Sequence, residues 1–317
     1  MVEGTVSLSV YEPMHIDGIN LKFKGFEQTK LVETRTTSYT VNGQTRTRTE
    51  RIPHSQKRVI FRRRVDLHNY KATLNPGMYV YPFRFRLDDN IPGTFSISQG
   101  DASGSIVYKL KAEVVRPGMF NINIKHTQML HVSTRFDRPI QKVQVSQSAN
   151  VTKLCCIDMG EVTCSAILDK SAYTAGEVAH LVIAIDNTAS DVTLKHISFK
   201  LTNNVKMTAG NYSETLRISN CKNQAPGTPK GETAHITFTL NLPQFLNPTT
   251  EGFLIHSLYF MEVVMSVPCS TDVVLSCPVT IFAKDPDNYI PKVEYPSDMP
   301  PMYEASVEIQ NDMFKVY

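Results

Sequence analysis

The chain has 317 residues, enough for two domains of ordinary size. Its apolar fraction of 41% can fill real cores, which excludes global disorder, and a net charge of +3 is too small to mark a nucleic-acid binder. No run of about 18 apolar residues occurs, and the opening MVEGTVSLSVYEP has neither a basic n-region nor a long apolar h-region. Neither a transmembrane helix nor a secretory signal is expected, so the default compartment is the cytosol.

In chain order, the first turn signal is Asn42-Gly43. A basic segment follows: Arg46, Arg48, Arg51, Lys57, Arg58, Arg62, Arg63 and Arg64 are opposed only by Glu50 and Asp66. Lys57, Arg58, Arg62, Arg63 and Arg64 are the candidate contacts for an anionic membrane surface, a phosphorylated peptide or an acidic cargo tail. A solvated strand with no partner explains the same residues. Alternation sends Arg62 and Arg64 to one face of a strand and Arg63 to the other, so the three cannot share one flat patch. No aromatic stacking platform is interleaved with these cations, so no nucleic-acid partner is expected.

After the Asn75-Pro76-Gly77 turn, Tyr79, Tyr81, Phe83, Phe85 and Leu87 alternate with Val80, Pro82, Arg84 and Arg86, which predicts a half-buried strand with an aromatic face. The glycine pair in Gly100-Asp-Ala-Ser-Gly104 reads as a hairpin turn. Ile106, Tyr108, Leu110, Ala112 and Val114 then face one side, while Lys109, Lys111 and Glu113 face the other. The polar stretch between residues 140 and 155 reads as an organisational break. Alternation resumes at Val162, Cys164, Ala166 and Leu168, again at Leu181, Ile183 and Ile185, and again at Ile236, Phe238, Leu240 and Leu242. Further turns are expected at Thr208 to Asn211 and at Pro226-Gly227, and Cys221 lies in a loop-like segment, ISNCKNQAPG. No long amphipathic helix is apparent. The expected fold class is therefore all-β, with two consecutive β-sandwich domains, residues 1–145 and 150–284. From residue 285 to 317 the chain is rich in proline, acidic and poor in alternation, and it reads as an extended, disordered tail.

Signals for catalysis are scarce. His-Glu-x-x-His, Gly-x-Ser-x-Gly and Walker patterns do not occur. No Cys-x-x-Cys pair occurs, so Cys155, Cys156, Cys164, Cys221, Cys269 and Cys277 read as free thiols with no metal. No cofactor and no enzymatic activity are expected.

Several stretches resemble the arrestin family. In the first half these are Pro76-Gly77, Tyr81-Pro82-Phe83, Leu87, Pro92-Gly93-Thr94-Phe95, Gly104, Ile106 to Tyr108 and Lys111-Ala112. In the second half, Leu154-Cys155-Cys156, the run from Leu168 to Glu177, and Ile185 to Ser190 are similar to family turns. The resemblance covers nearly the whole chain. It implies paired arrestin-like β-sandwiches without catalytic activity. The chain starts almost at the strand that Gly4-Thr5-Val6 resembles, so either the sequence is a shortened form or the first sandwich lacks edge strands, which would leave backbone unpaired.

The tail carries Pro300-Pro301-Met302-Tyr303, followed by Glu304. Two prolines pre-set a polyproline II helix, the shape gripped by the aromatic groove of a WW domain, and the tyrosine docks beside it. Pro300, Pro301, Tyr303 and Glu304 are the candidate WW-binding residues. The α-arrestin branch carries such motifs behind its second sandwich. The resemblance then implies a trafficking adaptor that brings transmembrane receptor or transporter cargo to a WW-domain HECT-type ubiquitin ligase, with endocytosis or endosomal sorting following. It implies a peripheral location at the plasma membrane and endosomes. The alternative is a retromer-type coat subunit, which shares the sandwiches without needing the motif.

Overall fold

The computed structural model describes residues 2–282 apart from 43, 89, 119–120, 134–139, 154–156 and 269, together with the backbone of one strand at 305–310. Among the described residues every regular element is a strand. Chain periodicity is the cause. Along residues 21–29 the burial alternates without a break, odd positions inside and even positions out, as a pleated strand on a core requires.

The first half forms β1 (Val2–Val10), β2 (Met14–Ile16), β3 (Gly18–Val41), β4 (Gln44–His68), β5 (Ala72–Leu74), β6 (Gly77–Phe85), β7 (Phe95–Gln99), β8 (Ala102–Val115) and β9 (Ile124–Leu130). One sheet runs β4-β3-β8, and both β7 and β9 pair with β8. The facing sheet holds β1 and β6, antiparallel from Val2↔Phe85 to Val10↔Gly77. Aromatic rings fill the space between. Phe23 of β3 lies 5.3 Å from Phe85 of β6 and 5.2 Å from Phe61 of β4, and it stacks on Tyr108 of β8 at 5.9 Å. The Tyr108 hydroxyl is buried but satisfied, because it donates to the Pro92 carbonyl at 2.5 Å.

The second half forms β10 (Val143–Lys153), β11 (Ile157–Leu168), β12 (Ala172–Thr174), β13 (Val178–Asp186), β14 (His196–Ala209), β15 (Tyr212–Pro226), β16 (Thr233–Asn241), β17 (Thr250–Glu251), β18 (Ile255–Met265) and β19 (Val273–Phe282). The sheet β10-β11-β13-β16 faces the sheet β12-β19-β18-β14-β15, to which β17 adds. Phe199 of β14 and Phe238 of β16 meet at 6.0 Å across this core.

The structure departs from the sequence reading in three places. The polar stretch at 140–155 reads as a break, but most of it is β10, which pairs with β11. Cys221 lies inside β15, opposite Leu201 beside a bulge, and not in a loop. The free edge of β1 is paired as well. A strand from the tail, β20 (Ala305–Gln310), runs antiparallel to β1 from Val10↔Ala305 to Thr5↔Gln310. Periodicity missed β20 because six residues in a polar, proline-rich context give too short a pattern. The rest of the tail lies outside the described residues.

The two sandwiches share material. Ile197, Phe199 and Leu201 of β14 belong to the second core, while Val205, Met207 and Ala209 of the same strand pack in the first core with Leu254 and Ile255. Polar groups complete the junction. Glu27 of β3, 0% exposed, accepts hydrogen bonds from the backbone N–H of Phe253 at 2.9 Å and of Leu254 at 3.1 Å. The Thr29 hydroxyl donates to the Thr208 carbonyl at 2.6 Å, and Asn247 Nδ2 donates to the Ser96 carbonyl at 2.9 Å. Gly252 is required here, since a Cβ would stand 1.6 Å from Glu27 Oε1.

Glu27→Ala leaves two buried N–H donors unsatisfied and should lower the unfolding free energy by about 3 kcal/mol, read as a shifted urea midpoint. Gly252→Ala should move the midpoint the same way, because the added methyl displaces the carboxylate.

Candidate functional site

The basic segment lies on β4, the edge strand beside β3, and a single irregularity decides which face each cation takes. Phe26 pairs with Val59, but Gly25 pairs with Phe61, so Ile60 is an extra residue that bulges out of the ladder. Simple alternation along β4 would put Lys57 on the face opposite Arg62 and Arg64. The bulge resets the parity, and Lys57, Arg62 and Arg64 share the solvent face. Arg58 and Arg63 do not join them. The Arg58 guanidinium lies 3.7 Å from the ring centroid of Phe253, at the junction between the sandwiches. Arg63 pairs across from the core residue Phe23, and its Nη1 donates to the Arg86 carbonyl at 3.3 Å. The five candidates therefore split three and two, and Arg62 and Arg64 part from Arg63 as alternation predicts.

Other strands bring more cations to the same face. Arg64, Lys22 and Lys111 form one cross-strand row through β4, β3 and β8. Arg62, Lys24 and Lys109 form the next, and Met129 of β9 extends it. Lys57 lies opposite Gln28, Lys30 opposite Ser55 and Ser103, and Lys125 opposite Glu113. Between the rows lies Phe26, with Lys57 Nζ 4.0 Å and Lys109 Nζ 5.5 Å from its ring centroid. From the row of Asn20 to the row of Lys30 this face holds, among the described residues, nine cations and two carboxylates, Asp66 and Glu113. Both carboxylates are already engaged. Asp66 accepts from Arg64 Nε at 2.7 Å, and Glu113 Oε2 lies 2.5 Å from Lys22 Nζ with Lys125 Nζ 3.5 Å from its other oxygen. Lys24, Arg62 and Lys111 have no acidic partner among the described residues.

Reading the segment 46–66 by itself misses Lys22, Lys24, Lys30, Lys109, Lys111 and Lys125. The signal was partly present, because LKFKGF and VYKLKAE both place lysine at every second position. What the sequence lacks is the register that stacks those lysines beside Arg62 and Arg64.

The remaining motifs are structural. In the run Asp169–Glu177 the Tyr173 hydroxyl donates to Asp169 Oδ1 at 2.5 Å, the His180 N–H donates to the same oxygen at 3.0 Å, and the Thr174 N–H donates to Glu177 at 3.2 Å. This knot borders a cavity of about 320 Å³, and its polar groups are consumed internally. Asn187 likewise donates from Nδ2 to the carbonyls of Val192 at 2.8 Å and Pro229 at 2.9 Å, closing a buried turn. Burial pushes the Cys164 thiol up to about 12 and Cys277 to about 11, and it raises Cys221 too, so none of the three is a ready nucleophile. Cys155, Cys156 and Cys269 lie outside the described residues, as do Pro300, Pro301, Tyr303 and Glu304. Glu304 immediately precedes β20. Among the described residues no three His, Cys, Asp or Glu side chains gather as a metal site, and no helix is long and apolar enough to cross a membrane.

Comparison with known proteins agrees with this architecture. Residues 1–138 match the family model described as arrestin (or S-antigen), N-terminal domain, and residues 158–286 match arrestin (or S-antigen), C-terminal domain. The chain is also similar to arrestin domain-containing protein A of Dictyostelium discoideum, at 26% identity over 291 residues. That match covers 89% of this chain and 48% of the relative, so the chain spans about half the relative's length.

Glu113 makes a testable electrostatic statement about the basic face. The hydrogen bond from Lys22 outweighs burial and holds its carboxyl down at about 2, with Asn123 and Lys125 adding to the effect. A depressed carboxyl contributes stability above its unfolded value near 4.5 and loses it as pH falls toward 2. Because Lys22 is half-exposed, solvent screening limits the contribution to about 2 kcal/mol or less. Glu113→Gln should therefore lower the melting temperature at pH 7 and flatten its fall between pH 4.5 and pH 2, as read by circular dichroism.

Proposed function

Because the chain belongs to the arrestin family, we propose that it is a non-enzymatic adaptor in membrane-protein trafficking. In this reading the paired sandwiches engage transmembrane cargo. The tail peptide Pro300-Pro301-Met302-Tyr303 recruits a WW-domain HECT-type ubiquitin ligase, and the adaptor works peripherally at the plasma membrane and endosomes. The observation that carries the reading is the position of that peptide. It follows two arrestin-type sandwiches and ends at Tyr303, separated only by Glu304 from Ala305, where β20 begins to pair with β1.

The physical roles divide cleanly. Pro300 and Pro301 hold the polyproline II shape that an aromatic WW groove accepts with little ordering cost. Tyr303 fills the neighbouring pocket, and Glu304 stands at its border. This sequence carries the motif once, so it presents one docking site for a WW domain. Phosphorylation of Tyr303 adds a charge of roughly −1.5 to −2 where an aromatic ring must be buried, and so blocks docking.

Pull-down with purified ligase WW domains provides the test. Tyr303→Ala should weaken capture at least tenfold, the scale of losing one anchor side chain, and phosphorylated Tyr303 should behave alike. Equal capture of wild type and Tyr303→Ala would remove the proposed mechanism.

A further inference from the structure

We propose that the solvent face of the β4-β3-β8-β9 sheet is a docking surface for an anionic lipid bilayer, with Lys22, Lys24, Arg62, Arg64, Lys109 and Lys111 as its centre. The inference deepens the adaptor reading, on which it rests, by assigning the part of the molecule that meets the membrane.

Three observations carry it. The first is cost. Arg64–Lys22–Lys111 and Arg62–Lys24–Lys109 place like charges directly opposite one another on adjacent strands, twice in succession. Such pairs destabilise a sheet, and nothing in the packing demands them, because the outer face touches no other element of the core. A fold that retains six adjacent cations against their own repulsion gains from an external anion.

The second observation is shape. The cations lie on a sheet face, spaced by two residues along each strand and by one strand across. From Lys22 to Lys30 the array runs about 26 Å, and from β4 to β9 it is about 14 Å wide. A single phosphate group needs converging donors in a concave site, which is not how these side chains stand. A plane of many headgroups fits a plane of many cations, each contributing about 1 kcal/mol near the surface.

The third observation is the lack of opposition. The two carboxylates of the face sit at one end, in the row of Asn20, and both are paired within the protein. Beyond Lys30 the same face of the β3-β4 hairpin continues through Thr34, Thr36, Ser38 and Thr40 with Thr45, Thr47, Thr49 and Arg51 across, and Arg51, its one cation, is ion-paired with Asp101. Phe26 and Met129 (51% exposed) add apolar surface among the lysines.

The test uses the full chain and sedimentation with vesicles of phosphatidylcholine alone or containing one-fifth phosphatidylserine. Wild type should bind the anionic vesicles, should ignore the neutral ones, and should release as salt shortens the screening length. The triple variant Lys24→Glu, Arg62→Glu, Lys111→Glu should lose at least tenfold in partition. Its melting temperature should hold, since Lys24→Glu then faces Lys109 and Lys111→Glu faces Lys22 as attractive pairs, while the Lys24–Arg62 contact exchanges one like-charge pair for another. Lys142→Glu, Lys195→Glu, Lys222→Glu makes the same change in net charge on exposed positions of the second half, and it should bind as wild type does. Equal loss in both triple variants would mean non-specific attraction and overturn the assignment, as would wild type ignoring anionic vesicles. Unchanged vesicle binding by the first triple variant, with loss of binding to an acidic peptide, would assign the face to a peptide instead. The assay contains no WW domain, so its outcome is independent of the Tyr303 pull-down.

Discussion

One buried carboxylate sets the relation between the two halves of the molecule. Glu27 is removed from water at the point where β3 passes the turn before β18, and it accepts two backbone N–H groups from that turn. Desolvation raises its carboxyl above the ordinary range even though Phe253, Leu254, His256 and Arg58 all favour the charged form. The contact exists at an electrostatic cost, and only a close, directional fit offsets such a cost. That fit explains its surroundings. Gly252 leaves room for the oxygens, Arg58 covers Phe253, and the apolar ends of β14 and β18 enter the first core. Two sandwiches that share strands and a buried charge in this way form one packed support.

On that support the outer face of β3 and its neighbours is free to carry charge. The inner positions Leu21, Phe23, Tyr108 and Leu110 supply the burial that holds the sheet, so the outer positions need supply none. Six adjacent cations are tolerated because the aromatic core behind them is dense and because Glu113 and Asp66 relieve the repulsion at one end. The Ile60 bulge matters more to this surface than any single lysine does. Without it Lys57 would point toward the core side of β4.

Much of the fold was legible in the sequence because alternation is a local signal. The aromatic strand at 79–87, the lysine strand at 106–114, the turn at Asn42 and the hairpin at Gly100 are each written in consecutive residues. What escaped reading is set by contacts distant along the chain. The Ile60 bulge appears only when β4 is laid against β3, and the role of Arg58 depends on Phe253, almost two hundred positions later. β10 has a polar composition because it lies at a sheet edge with one face in solvent, so it reads as a linker. Cys221 sits among turn-forming residues that a long hairpin with β14 holds extended. For the site, the cations of β4 were visible, while their partners on β3, β8 and β9 were not, because charge clustering across strands is a property of register.

The pairing of β20 with β1 changes what a truncated molecule would be. The last described strand covers the first, although it follows the second sandwich in sequence. Remove the tail, and the row of backbone donors and acceptors along Thr5 to Val10 opens to solvent. An unpaired edge of that kind recruits any extended segment that fits it, including the same edge of another copy. Shortened versions of this protein should therefore self-associate in proportion to their concentration, and loss of activity in them reports a sticky margin as much as a missing peptide.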